Sequence, residues 1–245
     1  HIAQTSMTGT AADTGDETLA RLVVEALQCL SSPDGVDHED VRMTKRGEGN
    51  LSDTRLIDGM VLEAGLTLDR LPRRLDSGTV LALTCPLEQE EASRETEIEI
   101  EGTDQWMAFI EAKEAILKKK TDAVLATGAN VVLSAEGIEP SIFHALTDAG
   151  CFVLGGIERS GIEDLAKASG ATMCDHLDDA DASVLGSFSS LEIETGEGLD
   201  GRKERICLRF GPGAGLVTLD VGGGDGVAVE EVIRGLHDAV RSTSL

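Results

Sequence analysis

The sequence predicts an α/β protein, and three observations carry that expectation. From Thr79 onward, short apolar segments alternate with helical patterns, which implies parallel strands joined by crossover helices. Two strongly amphipathic helical stretches flank this region, one near each end of the chain. The 245 residues, 41% of them hydrophobic, are enough to bury one large core or two modest ones, so a disordered chain is not expected.

Taken in order, Thr14-Gly15-Asp16-Glu17 has capping-box spacing, and Leu19, Leu22, Val23, Ala26, Leu27 and Leu30 recur at helical intervals until Ser31-Ser32-Pro33 ends the run. Residues 41–45 and 54–61 read as short extended or mixed segments separated by Gly47-Glu48-Gly49-Asn50, with a subdomain boundary between residues 63 and 72. The wound layer follows: strands at 80–84, 130–134, 151–154 and 171–174, and helices at 104–126, 141–149 and 162–169. A polar, Gly-rich stretch at 195–203 reads as a hairpin turn leading into strands at 205–210 and 216–221. The last helix, 229–241, puts Val229, Val232, Ile233, Leu236 and Val240 on one face. If the first and last helices pack together, the chain leaves a small base, builds the wound domain and returns.

The formal net charge is −24, which argues against nucleic acid or an anionic membrane as partner, because phosphate is repelled across most of such a surface. Fourteen Arg against seven Lys, a single Trp106 and no Tyr suggest a protein kept soluble in concentrated salt; an ordinary acidic cytosolic protein is the alternative. Cys29, Cys85, Cys151, Cys174 and Cys207 are odd in number and lack a C-x-x-C pair, which fits a reduced cytoplasm with the thiols acting as small apolar residues. There is no long apolar run and no signal-like start, and a chain opening on His1 is expected to be an excised or processed piece.

Candidate chemistry is sparse. Cys174, His176, Asp178 and Asp179 offer ligand-type atoms, but their spacing matches no zinc pattern and an acidic surface loop is the better reading, so no metal is expected. Ser134 and Ser160 sit in no G-x-S-x-G frame. There is no G-x-x-x-x-G-K-[ST] string. Gly222-Gly223-Gly224-Asp225-Gly226 lacks a following Lys and carries an acid that would repel phosphate, so it reads as a flexible connection. Asp238 lies about 180° around its helix from Val229, opposite the apolar face, where a solvated carboxylate is the plain reading. The Glu-rich stretch from 88 runs into a helix carrying Trp106, Met107, Phe109, Ile110, Ile116 and Leu117 up to 120, either a core-facing amphipathic helix or an exposed binding face.

Five strings in fixed order sharpen this picture: IAQTSMTG at 2–9, SDTRLIDGMV at 52–61, CPLE at 85–88, GANVV at 128–132 and LAKASGAT at 165–172. The chain resembles the group II chaperonins, the thermosome family of archaea, over residues 2 to about 241, and corresponds to the part between the two halves of the equatorial domain. The resemblance, with the acidic composition, implies a salt-adapted archaeal source. It implies a chaperonin apical domain, a wound α/β layer with a helical protrusion, inserted into a small α+β intermediate domain. Residues 1–64 and 218–245 are then intermediate, 65–217 apical, and 88–120 the built-in lid.

By the same resemblance the function is protein folding: unfolded polypeptide is bound, with Trp106, Met107, Phe109 and Ile110 on the lid, and other subunits complete a double ring. ATP and Mg²⁺ belong to the full-length ring, with Asp238 as the carboxylate that activates water. No cofactor and no ATP hydrolysis are expected of this chain alone. Thr8, Gly9 and Thr10 correspond to a nucleotide-sensing loop in which the family commonly has Lys at the place of Thr10, and a hydroxyl supplies no charge to a phosphate. That substitution motivates one rival, a stand-alone polypeptide-binding module without ATP coupling. A small-molecule enzyme on the wound sheet is the other, by fold analogy only.

Overall fold

A computed structural model gives the fold and describes residues 1–12, 17–30, 37–47, 49–64, 71–88, 103–198, 201–223 and 227–244. In chain order the elements are α1 (Ile2–Met7), α2 (Thr18–Cys29), β1 (Val41–Lys45), β2 (Arg55–Ile57), β3 (Gly59–Ala64), β4 (Arg74–Leu75), β5 (Gly78–Leu83) and α3 (Thr103–Thr127). They continue with β6 (Val131–Ser134), α4 (Pro140–Asp148), β7 (Phe152–Leu154), α5 (Arg159–Ser169), β8 (Gly186–Phe188), β9 (Ser190–Gly198), β10 (Gly201–Arg209), β11 (Val217–Val221) and α6 (Val227–Thr243). Two compact units result, the first from His1–Asp69, Arg73–Ser77 and Phe188–Leu245, the second from Arg70–Pro72 and Gly78–Ser187.

The first unit is built on two sheets. One has the order β1-β11-β2, with β1 parallel and β2 antiparallel to β11. Its strand β11 alternates: Val217, Leu219 and Val221 enter a core shared with α1, α2 and α6, while Thr218 and Asp220 point to the opposite face. Leu19, Val23, Ala26 and Leu27 of α2 meet Val229, Val232, Leu236 and Val240 of α6 in that core, so the first and last amphipathic helices do pack together. The helix α2 starts at Thr18, with Glu17 at its N-cap making no side-chain bond; the rest of the capping-box string, residues 14–16, lies outside the described residues.

The second sheet, β3-β10-β9-β4, is antiparallel. Sequence reading put a turn across 195–203, but β9 and β10 pair through most of it, from Arg209↔Ser190 to Gly201↔Gly198, with only 199–200 outside the described residues. The polar composition misleads because Glu192 separates buried Leu191 and Ile193 on β9, while on β10 the charged Glu204 and Arg205 are themselves buried beside Ile206, Cys207 and Leu208. The chain passes from one sheet to the other at Asp58-Gly59. Gly59 has φ 148°, and a Cβ there would lie 2.1 Å from the carbonyl oxygen of Leu208, so only glycine fits the crossing.

The second unit is the wound layer, strand order β7-β6-β5-β8, with β5, β6 and β7 parallel. Every residue of β6 is buried, as expected for a central strand covered on both faces. Ile142 and Leu146 of α4 and Leu117 and Val124 of α3 pack on Leu81, Leu83, Val132 and Val153. The segment 171–174, expected as a strand, makes only a bridge between Cys174 and Leu83. The N–H of Cys174 donates to Ala82 and its carbonyl accepts from Thr84; a 3₁₀ turn at Leu177–Asp179 follows, so the ladder stops after one rung.

Candidate functional site

The long helix α3 changes character along its length. On a helix of 3.6 residues per turn, Trp106, Ile110, Leu117 and Val124 fall on one face. In the second half that face is core, with Leu117 and Val124 buried. In the first half the same face has no cover among the described residues: Trp106 is 52% exposed, Met107 55%, Phe109 36% and Ile110 37%. Trp106 and Phe109 stack at 6.2 Å between centroids. Leu117 is thus core, and Trp106, Met107, Phe109 and Ile110 are solvent exposed. Lys120 fixes the root of the segment by donating to the carbonyl oxygens of Pro86 and Glu88, at 3.3 and 2.6 Å. Residues 89–102, the acidic lead-in, lie outside the described residues.

Thr8, Gly9 and Thr10 follow α1, a helix that sequence reading did not find. It has six residues and no side-chain cap, and Ala3 and Met7 are its buried side chains; their i, i+4 spacing is the one signal that marks it. The Thr10 hydroxyl is fully engaged inside the loop, donating to the Met7 carbonyl at 2.7 Å and accepting from the Ala12 N–H at 3.2 Å. The loop rests on α6 at Gly235. Asp238 follows three residues later, on the exposed side of α6.

A buried charge cluster that no sequence pattern had marked joins the two sheets of the first unit. Thr44, Asp220 and Arg55 form one rung across β1, β11 and β2. Arg205 and Glu194 face each other across β10 and β9. Asp220, with no exposed side-chain surface, accepts from both terminal nitrogens of Arg205, from Arg55 Nε at 3.0 Å and from Thr44 Oγ1 at 3.2 Å. Arg55 Nη2 also donates to Glu194 at 2.5 Å. Burial alone would push the Asp220 carboxyl up, but the hydrogen bonds and charges of Arg205 and Arg55 outweigh it and hold the group below the usual carboxylate range. Glu194 is likewise lowered, burial opposing and Arg55 prevailing. One signal was available: an aspartate in the middle of the apolar run of β11 must be paired if it is buried.

The other candidates resolve simply. Among the described residues no three His, Cys, Asp or Glu side chains converge as a metal site. Cys85, Cys151, Cys174 and Cys207 are buried, and burial pushes each thiol up, Cys207 to about 11, so they behave as apolar filler. Gly222, expected in a flexible connection, is buried, and a Cβ on it would meet the Asn50 carbonyl oxygen at 2.2 Å; close packing accounts for it, while 224–226 lie outside the described residues. The adjoining cleft of about 420 Å³ is lined by Ala11, Asn50, Leu51, Val229 and neighbouring small residues, with no charged side chain among the described residues that line it. No helix among the described residues is long and apolar enough to cross a membrane.

The two-sheet first unit and the wound sheet of the second, with its half-covered helix α3, define a mixed α/β fold of the chaperonin class. It matches the open-state monomer of a group II chaperonin from Methanococcoides burtonii with a TM-score of 0.76 and 24% identity, over 99% of this chain and 55% of that one. The chain belongs to the TCP-1/cpn60 chaperonin family, whose model matches residues 1–245. Among curated relatives it is 32% identical over 243 residues to a thermosome subunit of Methanopyrus kandleri, covering 98% of this chain and 44% of the relative. It is 31% identical to the thermosome subunit beta of Archaeoglobus fulgidus, covering 99% and 45%. The chain therefore spans about half the length of the curated relatives it matches. Family membership favours neither the stand-alone module nor the small-molecule enzyme.

Proposed function

We propose that this chain is the polypeptide-binding and linking portion of a group II chaperonin subunit from a salt-adapted archaeon, acting in protein folding in the cytoplasm. Residues 65–217 are the apical domain, and 1–64 with 218–245 the intermediate domain, although the sheet of β3, β4, β9 and β10 packs within the first unit. The observation that carries the reading is the exposed apolar half of α3. Trp106, Met107, Phe109 and Ile110 present large apolar surface without fixed hydrogen-bond geometry, which suits non-native chains of any sequence. The partners are unfolded polypeptide and further subunits of a ring.

ATP and Mg²⁺ are held by the rest of such a subunit, and Asp238 is the carboxylate that orients water there. Its exposure on α6 and its place one turn beyond the Thr10 contact support that role. Thr8, Gly9 and Thr10 act as a packing loop, because the Thr10 hydroxyl is already bonded within it.

Dilution of a chemically denatured client into buffer with or without the chain tests the reading by light scattering. The chain suppresses aggregation, and Trp106→Ser with Met107→Ser weakens suppression while stability changes by only about 0.5 kcal/mol, as for other exposed sites. Full suppression by the folded double variant would remove this helix from client binding.

A further inference from the structure

We infer that the Asp220–Arg205 pair, with Arg55–Glu194 beside it, is a latch that sets the alignment of the two sheets in the first unit. This goes beyond the chaperone reading and stands without it. The two faces of the β1-β11-β2 sheet are held in opposite ways. Its helix side is apolar, with Val217, Leu219 and Val221 set among Leu19, Val23, Leu27, Val229 and Leu236. That contact is non-directional and specifies no single pairing of polar groups. The other side presents Thr218, Asp220, Arg55 and Thr44, and these bond the second sheet directly. Thr218 donates to the Gly59 carbonyl at 2.7 Å, Asp220 accepts from Arg205, and Arg55 donates to Glu194.

A joint of this kind is specific more than it is strong. Desolvating the ions offsets much of their attraction, and an apolar replacement of similar volume is often as stable or more so. The cost of the joint is visible in one atom, because Arg205 Nε is buried and finds no partner among the described residues. A buried donor left unmade costs about 1–3 kcal/mol. What the pairing supplies is register: a guanidinium meeting one carboxylate through two nitrogens admits one alignment, and a slide of one residue breaks it. One carboxylate, Asp220, holds cations from both sheets, Arg55 from its own and Arg205 from the other, so a single group ties the two alignments together.

The test is a distance measurement by pulsed electron spin resonance between nitroxides at Ser52→Cys, beside β2, and Glu192→Cys, on β9, in a Cys29→Ser background. The parent protein gives one narrow distribution. Asp220→Asn broadens and lengthens it while the helical circular-dichroism signal is kept. The paired change Asp220→Leu with Arg205→Met regains the melting temperature but stays broad, since packing returns and register does not. Glu194→Gln, at a more exposed site, gives a smaller broadening and covers the case in which Asp220→Asn does not fold. A narrow distribution in the folded Leu/Met pair would overturn the latch and assign the alignment to the backbone crossing at Asp58-Gly59. So would Glu194→Gln with unaltered width.

Discussion

A Cβ placed on Gly235 would stand 3.0 Å from the hydroxyl oxygen of Thr10 and as close to the Cβ of Ala12. The loop after α1 therefore lies directly on the backbone of α6, one turn before Asp238. Gly235→Val overfills this contact, and such crowding costs about 1–3 kcal/mol. Part of the loss is recovered when Thr10→Ala is added, because the Thr10 hydroxyl is one of the two close contacts and Ala12 remains. Chemical denaturation of the two single variants and the double gives the coupling energy; strict additivity would show that the two residues do not bear on each other.

The Asp220 and Glu194 carboxyls are both held below their ordinary values by Arg205 and Arg55. Their folded-state values lie under the unfolded ones, about 3.9 for Asp and 4.3 for Glu. The stability they contribute is thus full above that range and is lost as pH falls through the depressed folded values. The melting temperature is expected to hold down to about pH 5 and to drop steeply below pH 4. In Asp220→Asn the drop is shallower from a lower starting point. An unchanged acid slope in that variant would place the acid sensitivity elsewhere on this very acidic chain.

What could be read from the sequence was what repeats at short range. The α2 and α6 faces, the buried strands β5 and β6 and the crossover helices are periodic apolar patterns, and each lies within a residue or two of its expected place at most ends. Pairings between distant positions were not legible. Asp220 bonds Arg205 across 15 residues and Arg55 across 165, and no periodicity connects them. The hairpin of β9 and β10 was hidden because cross-strand charges such as Glu194 opposite Arg205 resemble a loop in composition. For α3 the sequence supplied both readings, core and exposed face, and only three dimensions could assign each to its half of the helix.

The excess of 45 acidic over 21 basic residues predicts that added salt stabilises the fold. Screening shortens the reach of surface repulsion to about 3 Å at molar salt, while buried pairs such as Asp220–Arg205 are screened far less. The melting temperature should rise from dilute buffer toward molar KCl, and the rise should survive in Asp220→Asn. A flat or falling curve would remove salt adaptation from the proposal.

Asp238 carries the catalytic prediction. The chain alone is expected to show no ATPase above background, since its sequence has no G-x-x-x-x-G-K-[ST] phosphate loop. In a ring subunit containing this segment, Asp238→Ala lowers turnover by about 10²–10⁴-fold, the usual worth of a positioned base, and leaves nucleotide binding nearly intact. Equal turnover with and without the carboxylate would return Asp238 to the role of a solvated surface residue.

The last prediction uses the sole tryptophan as a reporter of the exposed half of α3. Trp106 is 52% exposed and stacks on Phe109, so its fluorescence should be strongly quenched by acrylamide, and Phe109→Ala should shift the emission to longer wavelength as the ring loses its apolar neighbour. Adding a permanently unfolded polypeptide should then protect Trp106 and move the emission back, because burial of large apolar side chains needs no particular partner sequence. Leu117, on the same face but buried, supplies the control: Leu117→Ala is expected to cost about 2–5 kcal/mol of stability without changing the quenching of Trp106. If Trp106 proves inaccessible to acrylamide before any polypeptide is added, the uncovered face is already occupied in the native protein, and client binding must be sought on another surface.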